Sequence, residues 1–124
     1  GHVLINNHFT FNDDLPMLEV YGLPRVGFQM VVPKGFENFT YYGKGPFENY
    51  ADRKEGALIG LYKQTVDEQY FPYGKPQTTG NKSDVRWSML SNESVGLAVY
   101  GYPYYETAAL HFEENDLWKK SGSE

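Results

Sequence analysis

Turn-forming residues interrupt this chain about every ten positions, which restricts it to short extended elements. The breaks are Asn6-Asn7, Pro16, Gly22 with Pro24, Pro33-Lys34-Gly35, a polar stretch at 43–53, a Pro-, Gly- and Asn-rich stretch at 72–81, and Ser91-Asn92-Glu93-Ser94. Between them lie apolar runs rich in Val, Ile, Tyr and Phe. In Arg25 to Val32, Val26, Phe28 and Met30 alternate with Arg25, Gly27 and Gln29. In Asp84 to Leu90, Val85, Trp87 and Met89 do the same. Period-two alternation marks a half-buried strand. Further strands are expected at 3–5, 17–21, 38–42, 57–62, 65–71, 96–101 and 107–112, with Ser91 to Ser94 as a hairpin loop. Asn115-Asp116 is placed to cap a short helix through Leu117, Trp118 and Lys119. About eight or nine short strands predict an all-β antiparallel sandwich.

Composition agrees. Eleven Tyr, eight Phe and two Trp make 17% of the 124 residues aromatic, alongside 13 Gly and 7 Pro. Aromatic strands punctuated by Gly and Pro favour sheets over helices. At this length one sizeable core is expected, so 1–124 reads as a single domain, with 113–124 a short helix or tail. Gly1, in place of Met, reads as a cloning remnant on an excised piece. The net charge of −5 argues against nucleic acid, whose phosphates require a positive face, and against anionic lipid. Cysteine is absent, which excludes thiol chemistry and thiolate metal sites and suits either redox compartment. No apolar run approaches the ~18 residues of a membrane span.

Few residues invite chemistry. His2, His8 and His111 are scattered, and none stands in a metal-ligand spacing, so each reads as structural. Gly43-Lys44-Gly45 is too short for a phosphate cradle. Glu48 and Asp52 share one loop and admit two readings: a carboxylate pair, or a salt-bridge and turn network with the adjacent Arg53. Asn38, Asn81 and Asn92 each begin an Asn-x-Ser/Thr triplet, a chance-frequent pattern. Tyr102, Tyr104 and Tyr105 flank Pro103, where a loop would display their rings for stacking on a sugar.

Two segments carry a family resemblance. Gly43-Lys44-Gly45-Pro46-Phe47-Glu48-Asn49-Tyr50-Ala51-Asp52-Arg53 resembles the Gly-x-Gly-Pro-x-Glu-Asn-Tyr-x-Asp-Arg signature of the C-terminal small-chain domain of family-2 β-galactosidases, with every fixed position present. Tyr70, Pro72-Tyr73, Pro76-Gln77, Gly80-Asn81 and Asp84-Val85-Arg86-Trp87 are similar to a second stretch of that domain. Leu23-Pro24-Arg25-Val26-Gly27 resembles one of its strands. Thr78 departs from the family, which usually has Glu there.

The resemblance implies a sandwich of the galactose-mutarotase-like supersandwich kind, of which this chain is an incomplete piece. It implies packing against a separate (β/α)₈ barrel that holds both catalytic glutamates and any divalent metal. No catalytic, cofactor-binding or metal-ligating residue carries over to this chain, and Trp87 and Trp118 do not match the aromatic that the family's small domain lends to its galactose pocket. Glu48, Asn49, Tyr50, Asp52, Arg53, Asn81, Asp84 and Arg86 are expected to form a signature loop that is structural or meets the barrel. Asp84 and Arg86, two apart on one strand, are expected to share a face and pair with the Glu48–Arg53 set. Gly43 and Gly45 are expected to supply backbone conformations that a Cβ forbids. The expected role is framing an active-site mouth in a retaining galactosidase. The rival is an independent carbohydrate-binding module with weak galactoside contact, and a mutarotase-like enzyme ranks behind both. Strands lacking neighbours would make the isolated chain self-associate or leave it modestly stable.

Overall fold

The computed structural model describes residues 1–10, 25–113 and 116–117. The chain divides into two compact units, Gly1–Val31 and Val32–Glu124, where the sequence suggested one.

In the first unit the described residues have no regular secondary structure. The strands expected at 3–5 and 25–32 are therefore not formed there. A strand exists only through its ladder partner, and the alternating Val26, Phe28 and Met30 are all exposed instead of facing a core. The strand expected at 17–21 lies outside the described residues.

The second unit is all-β, as expected: one antiparallel sheet of β1 (Asn38–Gly45), β2 (Leu58–Thr65), β3 (Lys82–Ser91) and β4 (Gly96–Thr107), in the order β2-β1-β3-β4. The described residues thus supply one sheet layer, with four of the eight or nine strands anticipated. β3 and β4 form the anticipated hairpin. Asn92 closes it by accepting the backbone N–H groups of Ser94 (2.8 Å) and Val95 (2.9 Å) on its Oδ1, the Asx turn that makes Asn a turn former.

Register sorts the side chains onto two faces, because directly paired residues in an antiparallel ladder point the same way. One face carries Phe39, Tyr41, Leu90 and Tyr62. Phe39, Tyr41 and Val85 are its buried centre, with Tyr62, Leu90, Tyr105 and Ala109 packed against them. The Tyr41 ring lies 5.2 Å from Phe39 and 5.3 Å from Tyr62. Each such buried side chain contributes roughly 1.5–3 kcal/mol. The other face carries the row Leu61, Tyr42, Trp87 and Tyr100 across all four strands, and Leu61, Tyr42 and Tyr100 are exposed.

Two strand expectations fail for local reasons. The segment 65–71 forms a 3₁₀ turn at Asp67–Gln69. Glu68 accepts the Thr65 N–H at 2.6 Å, and the Thr65 hydroxyl accepts the Glu68 N–H at 3.4 Å. This reciprocal Thr-x-x-Glu box starts helical turns and competes with extension. The strand expected at 107–112 ends where it was to begin, with β4 stopping at Thr107. Asp116 and Leu117 are helical; the rest of the expected terminal helix lies outside the described residues.

Candidate functional site

The signature segment 43–53 begins as the end of β1 and leaves the sheet at Pro46. Gly43 and Gly45 are needed there for close packing, not for the unusual backbone angles expected of them. A Cβ on Gly43 would stand 2.7 Å from Val85 Cγ2 and 2.9 Å from Val85 Cα, and one on Gly45 would stand 2.8 Å from the Tyr62 ring. Beyond Pro46 the chain folds into a tight turn. Tyr50 and Arg53 exchange backbone hydrogen bonds of 3.2 and 2.8 Å, and Ala51 and Asp52 are its exposed tip.

Asn49 is fully buried and every polar atom of its side chain is engaged. Its Nδ2 donates to the carbonyls of Lys44 (2.9 Å) and Phe47 (3.0 Å). Its Oδ1 accepts the Ser83 N–H at 3.0 Å and the Ser83 hydroxyl. Its backbone pairs with Asn81: the Asn49 N–H donates to the Asn81 carbonyl and Asn81 Nδ2 donates to the Asn49 carbonyl, both at 2.8 Å. Buried polar atoms are tolerated only when partnered in this way. Asn81 is therefore a buried clamp and not a displayed acceptor site.

Glu48 is similarly occupied. Its Oε1 accepts from Arg53 at 3.2 Å. Its Oε2 accepts from the Gly80 N–H at 2.8 Å, the Thr79 hydroxyl at 3.3 Å and the Tyr50 hydroxyl at 3.4 Å. Burial, then the Glu48 charge, pushes the Tyr50 hydroxyl up to about 12. Arg53 also lies 5.2 Å over the Tyr50 ring and donates to the Tyr73 hydroxyl at 3.0 Å. Among the described residues, Asp52 has no side-chain hydrogen bond and takes no part in this network. Of the two readings of Glu48 and Asp52, the geometry draws a salt-bridge and turn network around Glu48.

Asp84 and Arg86 do not join the set as expected. β3 is irregular between Lys82 and Trp87, and Asp84 has φ +52°, so strand alternation is broken there. Asp84 instead pairs with Lys54 at 2.8 Å. The Arg86 guanidinium donates to the Asp84 carbonyl and sits 5.8 Å over the Tyr104 ring.

The three tyrosines near Pro103 lie on β4 and not in a loop. Tyr102 is fully exposed and Tyr104 is exposed beneath Arg86. Tyr105 turns inward: its hydroxyl meets the Ser88 hydroxyl at 2.6 Å and donates to the Val99 carbonyl at 3.1 Å. Among the described residues, no group of three or more His, Asp or Glu side chains could hold a metal ion, and no helix is long and apolar enough to cross a membrane.

One feature escaped the sequence. Lys82, at the start of β3, is 2% exposed, and burial pulls its ammonium down to about 8 against the raising influence of Glu48. It lines a cavity of about 280 Å³ with Glu48, Gln69, Tyr70 and Phe71. No local sequence pattern marks its burial. A lysine between Asn and Ser reads as surface.

The whole chain to residue 123 matches the model of the β-galactosidase small-chain family. Curated relatives include a β-galactosidase of Priestia megaterium, 42% identical over 96 residues, covering 77% of this chain and 9% of the relative. One from Lactobacillus delbrueckii subsp. bulgaricus is 45% identical over 85 residues, covering 68% of this chain and 8% of the relative. One from Kluyveromyces lactis is 31% identical over 98 residues, covering 77% and 10%. The chain thus spans about a tenth of the length of the relatives it matches.

Proposed function

The chain belongs to the β-galactosidase small-chain family, and from that premise we propose that it is a non-catalytic β-sheet module of a β-galactosidase, framing an active site carried on another domain. In the parent the reaction is retaining hydrolysis of terminal β-galactosides, which uses two carboxylates about 5–5.5 Å apart on either side of the scissile bond. What supports a framing role here is the state of Glu48. It is the best-shielded carboxylate of the signature loop, and both its oxygens accept internal donors from Arg53, Gly80, Thr79 and Tyr50. A carboxylate held in that way braces a loop and is poorly placed to take or give a proton. The interdomain partner is the parent's barrel, which the exposed Ala51-Asp52 tip is free to touch.

The test is Glu48→Gln in the full-length enzyme. The expected result is a fall in kcat within about tenfold, since loss of a catalytic carboxylate costs at least about a thousandfold. Loss on that larger scale from a folded variant, or hydrolysis of a nitrophenyl galactoside by the 124-residue chain alone, overturns the reading.

The carbohydrate-binding alternative rests on Tyr102, whose ring is fully exposed on β4. It predicts that Tyr102→Ala abolishes galactose-induced shifts in the isolated chain.

A further inference from the structure

β4 ends at Thr107, and 108–113 follow as irregular chain. Apolar side chains seat this strap. Ala109 packs against the Phe39, Tyr41 and Val85 cluster. Leu110 lies beside Gly80, its Cδ2 3.2 Å from where a Cβ on that glycine would stand. Phe112 meets the Tyr70 ring edge-on at 5.3 Å. Among the described residues, no backbone hydrogen bond joins 108–112 to any other part of the chain. The polar links that do so are both made by His111: Nε2 to Glu37 Oε2 at 2.6 Å, and Nδ1 to Asp67 Oδ1 at 3.1 Å.

Those two contacts together require a proton on each ring nitrogen. Neutral imidazole carries one N–H and one lone pair. On losing a proton it keeps one carboxylate and turns a lone pair towards the other, so only imidazolium serves both. Glu37, before β1, and Asp67, in the 3₁₀ turn, are the charged groups that face the ring. Glu68, beside Asp67, turns its carboxylate to Thr65, and Glu113 is the next acidic residue along the strap. Among the described residues, no Lys or Arg pairs with Glu37 or Asp67. The Glu37 hydrogen bond, then the two carboxylate charges, hold the His111 proton to a pH above the usual 6.5.

We propose that 108–113 is a pH-operated strap, fastened by His111 across Glu37 and Asp67 when the ring is protonated and loosened when it is neutral, so that Leu110 and Phe112 cover Gly80 and Tyr70 more fully in acid than in base. Gly80 donates its N–H to Glu48 at 2.8 Å, so the strap bears on the anchor of the signature loop. An open strap returns His111 to its ordinary value, about 6.5. The charge contribution to closure is therefore complete below that pH and is lost as pH rises through the higher closed-state value. The strap goes beyond the framing role and does not depend on it, since every group named lies in this chain.

The test is NMR of the 124-residue chain between pH 5.5 and pH 9, following the His111 imidazole together with the Phe112 and Tyr70 rings and the Leu110 methyl groups. The expected result is one shared midpoint above about 6.5, with the closed-to-open ratio falling by up to about fivefold, the scale of an exposed ion pair. His111→Gln is expected to remove the pH response of Leu110 and Phe112. Asp67→Asn, which spares the Glu37 contact, is expected to move the shared midpoint down. A His111 midpoint at or below about 6.5, Leu110 and Phe112 signals that do not track it, or a response unchanged in His111→Gln would each overturn the proposal.

Discussion

The Asn49 side chain accepts the backbone N–H of Ser83 at 3.0 Å, joining the signature loop to the start of β3 across 34 residues. The same carboxamide donates to the Lys44 and Phe47 carbonyls, so one buried side chain holds both the exit from β1 and the entry to β3. Asn49→Ala leaves these groups unpartnered where water does not reach. A stability loss of about 2–4 kcal/mol in urea denaturation is expected. Asn49→Asp keeps the acceptor but loses both donations, and is expected to be comparably damaging at neutral pH. A loss below that of an ordinary surface substitution, about 0.5 kcal/mol, would show the clamp to be dispensable.

Gly80 presents its N–H to Glu48 from a left-handed conformation, φ +76°. A Cβ there would lie 2.7 Å from the Gln69 carbonyl oxygen. Gly80→Ala is expected to cost about 1–3 kcal/mol from backbone strain, plus whatever is needed to move that carbonyl. Thermal melts of the two proteins measure it.

Lys82 is expected to be a destabilising residue at neutral pH. Its pKa falls from 10.5 to about 8 on folding, so the cost of burying the charge is fully present below pH 8. Between pH 8 and 10.5 the unfolded chain holds the proton that the folded chain has released, and stability rises with pH. Lys82→Met should therefore stabilise the chain by about 1–3 kcal/mol at pH 7, with the gain shrinking as pH climbs towards 10.5. Urea denaturation of both proteins at pH 7 and pH 10 measures this change. A destabilised variant at pH 7 would mean that Lys82 has a partner in solution.

His111 bridges Glu37 at 2.6 Å and Asp67 at 3.1 Å. The Glu37 hydrogen bond, then the two carboxylate charges, raise its pKa above the usual 6.5. A group raised on folding contributes stability fully below its unfolded pKa, about 6.5, and loses it as pH rises through the higher folded value. All three side chains are largely exposed, so solvent and salt limit the effect to less than about 1 kcal/mol. His111→Ala should lower the melting temperature at pH 5.5 more than at pH 9, and added salt should reduce the difference.

The Leu61–Tyr42–Trp87–Tyr100 row presents apolar surface from one side of the sheet, and among the described residues β2 is an edge strand. Contiguous exposed apolar surface beside an unpaired edge favours association. The isolated chain is expected to elute larger than a monomer in size-exclusion chromatography, and Leu61→Lys to raise the monomer fraction. A monomer at all concentrations would contradict this.

The sheet was legible where local chemistry is sufficient. Alternation through Val85, Trp87 and Met89 marked β3, Asn92 marked the hairpin, and the aromatic run from Asn38 marked β1. The chemistry of Glu48 was half legible: its loop could be named, but not which donors would meet its oxygens. Thr79 and Gly80 approach it from 31 and 32 residues away in the chain, and no spacing rule connects them. The strand expected at 65–71 gave way to the Thr65-x-x-Glu68 box, whose two reciprocal hydrogen bonds favour a helical turn.

Family membership, the antiparallel class and the signature loop follow from residue order, because turn propensity, period-two alternation and an eleven-residue motif are local properties of the chain. The tertiary structure alone decided that Arg25–Val32 would lack a ladder, that Asp84 would turn to Lys54, and that Lys82 would be buried. Each depends on what the fold brings alongside. A strand needs a neighbour's hydrogen bonds, an irregular stretch re-aims a carboxylate, and burial of an ammonium is set by loops distant in sequence that close over it.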